Sequence, residues 1–317
     1  MRYVVTGASG FIGTATALRL LRDGHDVVGI DSLNHYYDPA RKIQNLAELE
    51  AFENFTFFKR DINDGCEAIV EGADVILHLA GQPGVRKSWL NFTSYSRANI
   101  EATKHVLDLA LRFNIKRVVY ASSSSVYGNA VRYPCSELDA PIPASPYAVT
   151  KLAGEQLCQL FAHEHGLSTA SLRYFTVYGP RQRPDMLTHR LIDAASTGEA
   201  ITIFGDGEQI RDFTFVDDIA RANIAASTAD VANGSVFNIA GGSAVSVKEM
   251  IKAVENATGK DVLCVSAPHS AGDVDRTGAD TSRARDELGW TAQVPLEQGL
   301  TAHVEKYRSR RHDLSIL

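Results

Sequence analysis

The chain has 317 residues, 44% of them hydrophobic, and 32 lysines and arginines against 38 acids give a net charge of −6. That length and apolar content suffice for one large core with a smaller lobe, and the acidic balance speaks against a nucleic-acid partner, so an anionic ligand must be held by local arginines. Cys66, Cys135, Cys158 and Cys264 lack metal-ligand spacing and no apolar run is long enough to span a membrane, so a reduced, cytoplasmic setting with neither metal nor membrane partner is expected.

A buried strand is expected at once, in Tyr3–Val5, which leaves no room for a cleaved leader. Three glycines at spacing three follow, Gly7, Gly10 and Gly13, with Phe11 and Ile12 between the last two, and a helical stretch continues from Thr14 to Arg22. Glycines at such a turn let the backbone approach a pyrophosphate, and the helix N-terminus adds N–H donors and a positive dipole. The spacing is G-x-x-G-x-x-G, not the G-x-G-x-x-G of many dehydrogenases. A second strand, Asp26–Asp31, ends in an acid 18 residues beyond Gly13. A carboxylate there accepts hydrogen bonds from adenosine ribose hydroxyls and repels a 2′-phosphate, which favours NAD over NADP.

Further strand-like runs occur at Phe55–Phe58, Asp74–His78, Arg117–Ala121 and Ser168–Arg173, with helical patterns at Ser94–Phe113 and Pro146–His165. This alternation predicts an α/β fold: a Rossmann-type, doubly wound parallel sheet covered on both faces. Within the second helical pattern, Tyr147 and Lys151 lie four residues apart and so on one face, one turn apart. A phenol ionises near ~10, and a fixed cation nearby favours the phenolate, making the pair able to move a hydroxyl proton.

After Arg173 the texture changes. Residues 176–210 read as loop-rich, Phe213–Ser227 as helical, Ser235–Ile239 as a core strand and Ser246–Thr258 as a helix, with a short terminal helix beyond. The expected organisation is a nucleotide domain of residues 1–175 with 212–240 returning to it. A smaller substrate lobe is expected from 176–211 and 241–317. His163 and His165 lack metal partners, His78 reads as a packed core residue, and Asp217-Asp218 suits a helix start.

With these motifs in place the chain resembles the extended short-chain dehydrogenases/reductases, and among them the nucleotide-sugar epimerases, nearly end to end. Gly7, Gly10 and Gly13 match the family's phosphate turn, Asp31 its ribose acid, and Asp61-Ile62 its adenine-side contact. Leu79-Ala80-Gly81 matches the turn after the fourth strand, and Asn99 a residue near the cofactor. Ser122-Ser-Ser-Ser-Val-Tyr-Gly128 matches the segment bearing the catalytic hydroxyl, placed at Ser123, while Tyr147 and Lys151 match the base and its helper. Leu172-Arg-Tyr174 and the residues up to Pro180 match the stretch beside the nicotinamide, with Ser122 and Tyr174 near the cofactor.

Asn34-His-Tyr-Tyr-Asp38, Gly84-Val-Arg86, Arg181-Gln-Arg-Pro-Asp-Met186 and Arg211-Asp-Phe-Thr214 together resemble UDP-glucuronate 4-epimerases. Thr176 departs from the Asn usual in the wider family and suits a carboxylate at the sugar's C6. The resemblance implies NAD as cofactor, a UDP-sugar substrate, a homodimer formed through helices 94–113 and 146–165, and a transient 4-keto sugar. It implies Ser124, Ser125 and Thr176 as hydroxyl donors to the carboxylate. Arg183 is assigned to either the carboxylate or the diphosphate, with Arg86 and Met186 lining the site. Arg211 and Arg190 would hold phosphates, Thr202 and Phe204 the uracil, and Asp273 the uridine ribose. Related decarboxylases and 4,6-dehydratases carry an acid within the Ser124–Ser125 stretch, which is absent here. A UDP-galactose-type epimerase, a UDP-glucuronate decarboxylase and a catalytically silent NAD-binding sensor stand as alternatives.

Overall fold

The computed structural model describes residues 1–268 and 274–314, with side chains through residue 310. The first part of the chain runs β1 (Arg2–Thr6), α1 (Phe11–Arg22), β2 (Asp26–Asp31), α2 (Pro39–Glu50), β3 (Phe55–Lys59), α3 (Glu67–Val70) and β4 (Val75–His78). Then come α4 (Phe92–Ser96), a π turn (Arg97–Glu101), α5 (Ala102–Arg112), β5 (Arg117–Ser123), a 3-10 turn (Ser124–Tyr127), α6 (Pro146–His165) and β6 (Thr169–Tyr174). The rest comprises β7 (Thr176–Tyr178), α7 (Leu187–Thr197), β8 (Ile201–Phe204), β9 (Ile210–Phe215), α8 (Val216–Thr228), β10 (Ser235–Ile239), β11 (Ser243–Ser246), α9 (Val247–Thr258), β12 (Cys264–Ala267), α10 (Ser282–Leu288) and α11 (Leu296–Leu314).

Seven strands pair in the order β3-β2-β1-β4-β5-β6-β10, every neighbour parallel. Apolar residues fill both faces, as a parallel sheet sandwiched by helices requires. Tyr3, Val5, Leu77, Val119 and Leu172 pack with α1, α8 and Trp290 on one side, and Val4, Ile76, Val118 and Tyr120 pack with α5 and α6 on the other. Strand order reverses between β1 and β4, and at such a switch the loops leaving the strand C-termini part to form a crevice.

The long α6 is defined by its ends. Ser145 accepts a hydrogen bond from the Ala148 amide, Pro146 takes the first helical position, and Gly166 closes the helix in the left-handed region at φ 66°. The smaller lobe holds a three-stranded sheet, β7-β9-β11, and the parallel pair β8–β12, packed on α7, α9 and α11 through Leu191, Ile192, Phe213, Met250 and Leu300.

Three assignments differ from the sequence expectation. Residues 187–197 form α7 inside the stretch expected to be loop-rich, because Leu191, Ile192, Ala194 and Ala195 make an apolar face that flanking glycine and proline obscure. Phe213–Phe215 end the strand β9 instead of opening a helix, so the return to the large sheet begins at α8. The terminal helix is long, 19 residues, and α10 packs on β10 and α8 beside the large sheet. No helix among the described residues is long and apolar enough to cross a membrane.

Candidate active site

The crevice opens where β1 meets α1. Gly7 takes φ 70°, and a Cβ there would stand 2.9 Å from the Ala80 backbone; a Cβ at Gly13 would stand 2.0 Å from the Gly7 carbonyl oxygen. The turn is therefore closed onto the loop after β4, and only hydrogen atoms fit at these positions. A cavity of about 370 Å³ lies over it, walled by Gly7, Gly10, Phe11, Ile12, Gly13, Asp31, Asp61, Ile62, Leu79, Ala80, Gly81, Ser122, Tyr147, Lys151 and Tyr174. Asn99, on the π turn, stands behind that wall. Its side chain accepts from the Gln82 amide at 2.7 Å and donates to the Gln82 carbonyl at 3.0 Å and to Thr150 Oγ1 at 2.9 Å, which fixes the Gly81–Gln82 turn.

At the far end of the cavity Asp31 is buried, and one carboxylate oxygen accepts from the Leu33 amide at 2.8 Å and from Lys42 Nζ at 3.3 Å. Lys42, itself buried, also donates to Asn34 Oδ1 at 3.2 Å. Nothing in the sequence distinguished this lysine from the other polar residues of α2. Asp61 accepts from the Asn63 amide at 3.0 Å, and Arg97 lies 3.7 Å from its other oxygen. A dinucleotide suits this donor set: a glycine-lined helix N-terminus for the pyrophosphate at one point, and a buried carboxylate for ribose hydroxyls at another.

Tyr147 occupies the first turn of α6 and Lys151 the next. Burial raises the Tyr147 pKa, while the neighbouring Ser123 side chain and the Arg183 guanidinium lower it. Lys151 is buried, and burial pushes its ammonium down to about 8. The Lys151 Nζ donates to the Ala121 carbonyl at 2.9 Å. Arg183, from a distant loop, adds a cation that favours the phenolate. Tyr95 meets the Tyr147 ring edge-on with centroids 6.3 Å apart, and its hydroxyl is anchored on the Gly84 carbonyl at 2.7 Å.

Ser123 closes β5 and accepts from the Ser125 amide at 3.2 Å, holding the 3-10 turn that carries Ser124 and Ser125. None of Ser123, Ser124, Ser125 and Met186 walls either cavity. Met186 packs against the core beneath the large sheet instead.

A second cavity of about 430 Å³ gathers Arg86, Thr176, Arg190, Thr202, Phe204 and Arg211 from five separate elements. The Arg86 guanidinium lies over the Phe204 ring, 3.9 Å from its centroid. Arg211 donates to the Ile210 carbonyl at 2.9 Å, and Arg190 to the Thr202 carbonyl at 3.4 Å. Arg183 walls the first cavity and pairs with Asp185 through two bonds of 3.0 and 3.1 Å. Tyr36 belongs to the walls of both cavities and is the joint between them, with Lys87 4.4 Å from its ring centroid. Neither Tyr36 nor Asp185 was singled out as a site residue from the sequence. Asp273 lies outside the described residues.

Arginines in one cavity and a glycine-turn crevice in the other, joined at a phenol, are the arrangement of an enzyme that works on a nucleotide-linked substrate beside a dinucleotide. Comparison with known proteins agrees. The chain is 39% identical over 303 residues, 94% of its length and 93% of the relative's, to a UDP-glucuronate 4-epimerase of Thermodesulfobacterium geofontis. It is 36% identical over 321 residues, covering 98% of this chain and 99% of the relative, to a UDP-glucose 4-epimerase of Mycolicibacterium smegmatis. The crystal structure of UDP-glucuronic acid 4-epimerase from Bacillus cereus, in complex with UDP-glucuronic acid and NAD, superposes with a TM-score of 0.94 at 38% identity, covering 98% of this chain and 100% of that one. The model of the NAD dependent epimerase/dehydratase family matches residues 3–240, and the chain belongs to that family.

Proposed function

We propose that this protein interconverts UDP-glucuronate and UDP-galacturonate by transient oxidation at C4, with NAD held tightly through the cycle. The observation that carries the reading is the Tyr147 phenol, at the wall of the dinucleotide cavity, with the Ser123 side chain and the Arg183 guanidinium both favouring its ionised form. Bound NAD supplies a hydride acceptor and donor at C4. Tyr147 takes the proton of the 4-hydroxyl and later returns it. Ser123 donates to the sugar oxygen as charge develops on it. Lys151 keeps an ammonium at the nicotinamide end, anchored on the Ala121 carbonyl.

The uronate preference rests on Thr176, which supplies a short hydroxyl in the cavity that also holds Arg86, Arg190 and Arg211. Arg183 stands beside Tyr147, on the cofactor side, where its charge can meet a carboxylate. A 4-keto uronate loses CO2 readily, so the enzyme must hold the carboxylate without aligning its bond perpendicular to the ketone plane. At positions 124 and 125 only serine hydroxyls are present, and no side chain there can exchange a proton at C5. UDP binding is assigned to Arg211, Arg190, Thr202 and Phe204, and the uridine ribose to Asp273.

The same proposal includes a reduced, cytoplasmic setting, with four free thiols, and a homodimer built on helices 94–113 and 146–165, where Val149 and Leu160 stand exposed. A neutral-hexose epimerase is the second reading, favoured by the similar identity to the mycobacterial UDP-glucose 4-epimerase. Side-by-side turnover of UDP-glucuronate and UDP-glucose separates them. A kcat/KM at least tenfold higher for the uronate is expected by an estimate of about 1.4 kcal/mol per tenfold, and the reverse order selects the neutral sugar.

A further inference from the structure

Behind the catalytic segment lies a buried ion pair that no step of the reaction uses. Glu155 stands one turn beyond Lys151 on the same face of α6 and is 1% exposed; Arg173, on β6, is 3% exposed. Arg173 grips the carboxylate with two bonds, Nε to Oε2 at 3.0 Å and Nη2 to Oε1 at 2.5 Å. The Ser122 hydroxyl donates to Oε2 at 2.7 Å, and Arg173 Nη1 donates to the Tyr127 hydroxyl at 2.7 Å. The Tyr127 hydroxyl in turn donates to Asn238 Oδ1 on β10 at 2.7 Å. Every side-chain polar atom from Ser122 through Glu155, Arg173 and Tyr127 to Asn238 has a partner, as a buried charge demands.

Its position gives it a task. Ser122 pairs with Arg173, and Ser123 with Tyr174, in the β5–β6 ladder. Helix α6 is therefore pinned to the end of β5 at two successive points, by Lys151 on the Ala121 carbonyl and by Glu155 on the Ser122 hydroxyl. The next residue, Ser123, closes β5, and its side chain lowers the pKa of Tyr147. Tyr127 ends the 3-10 turn of Ser124 and Ser125, so Arg173 holds that turn from behind.

We propose that the Glu155–Arg173 pair, acting through Ser122, is a positioning device that sets the distance between Ser123 and Tyr147. A hydrophobic pair of equal volume fills the same space but cannot grip Ser122 and Tyr127 at once; the charges are retained for register and not for stability. Glu155 and Arg173 are positioning residues: neither lines a cavity itself, and Glu155 reaches the wall only through the Ser122 hydroxyl. The proposal rests on the functional reading above only for its kinetic readout.

The test uses Ser122→Ala, which removes one hydroxyl and leaves the ion pair whole, with Ser122→Thr as the conservative rescue and Glu155→Gln as the deeper variant. The full-length protein is assayed for epimerisation, melted to establish that it folds, and crystallised. A misplacement of the reacting groups by a fraction of an ångström lowers kcat by about tenfold or more while substrate binding persists. The expected result is that loss of kcat in Ser122→Ala, a KM within about twofold, near-native melting, and recovery in Ser122→Thr. Wild-type kcat in Ser122→Ala overturns the proposal, as does a loss that Ser122→Thr fails to restore. If the wild type turns over no UDP-sugar, the functional reading has failed, and the crystal structures decide this proposal alone. A Ser123–Tyr147 separation unchanged from the wild type in both Ser122→Ala and Glu155→Gln overturns it, and a changed one supports it.

Discussion

Lys151 spends its ammonium on the Ala121 carbonyl, 2.9 Å away, and not on the phenol of Tyr147. The lysine is thereby fixed at the floor of the dinucleotide cavity, where burial lowers its pKa from 10.5 to about 8. An unfolded chain keeps the lysine protonated up to ~10.4. Between pH 8 and 10.5 the unfolded state therefore binds more protons, and stability rises with pH across that window. Below pH 8 both states are charged and the full burial cost is present, of order 3 kcal/mol.

Lys151→Met should then stabilise the cofactor-free protein at pH 7, by up to about 3 kcal/mol, while abolishing turnover. Urea melts at pH 7 and pH 9.5 check it. The wild type should gain stability at the higher pH, and the variant should lack that gain. A variant less stable than wild type at pH 7 contradicts the argument.

Tyr147→Phe should lower kcat by about 10³-fold without loss of fold, since proton transfer by a placed side chain contributes 10²–10⁴. Ser123→Ala should cost about 10² in kcat. It also removes a side chain that lowers the Tyr147 pKa, so the pH at which turnover reaches half its maximum should move upward. A pH–rate profile of Ser123→Ala that matches the wild type in shape would show that this side chain does not tune the phenol.

Gly13→Ala probes the closed turn. A Cβ there meets the Gly7 carbonyl oxygen at 2.0 Å and the Ala8 Cα at 3.0 Å, both backbone atoms that no rotamer change can clear. The variant should lose NAD affinity by at least about tenfold and melt lower, by analogy with overpacked cores that cost 1–3 kcal/mol. Calorimetric titration of NAD into cofactor-stripped protein measures it.

Asp31 and Lys42 form a buried pair at the ribose end of the cavity. Replacing Asp31 by Ser removes the charge that repels a 2′-phosphate and releases the Lys42 ammonium to receive one. Asp31→Ser should bind NADP better than the wild type does, and adding Lys42→Met should cancel the gain. Equal NADP affinity in the single and double variants would show that Lys42 plays no part.

The glycine turn, the acid at the end of β2 and the Tyr147–Lys151 pair were legible in the sequence because each is local: a strand, a turn and a helix carry them within a few residues. The second cavity is not local. Its arginines come from a 3-10 turn at 86, from α7 at 190 and from β9 at 211, and only the packing of the smaller lobe brings them together. Residues 187–197 read as loop because glycines and prolines crowd their flanks, although their apolar face follows helical spacing. Strand β9 runs into α8 without a breaker, so Phe213–Phe215 read as the start of the helix. Lys42 and Tyr36 stayed hidden for a different reason. Their roles arise from what they meet across the crevice, Asp31 in one case and the Arg183–Asp185 pair in the other.

The central claim, oxidation and reduction at C4 on a cofactor that never leaves, is tested most directly with UDP-glucuronate deuterated at C4. The purified protein is incubated with it, no NAD is added, and the nucleotide sugars are resolved by chromatography and mass. The account predicts UDP-galacturonate of unchanged mass with the deuterium still at C4. Loss of the label to solvent, a product lighter by CO2, or no epimer even with NAD supplied would contradict it.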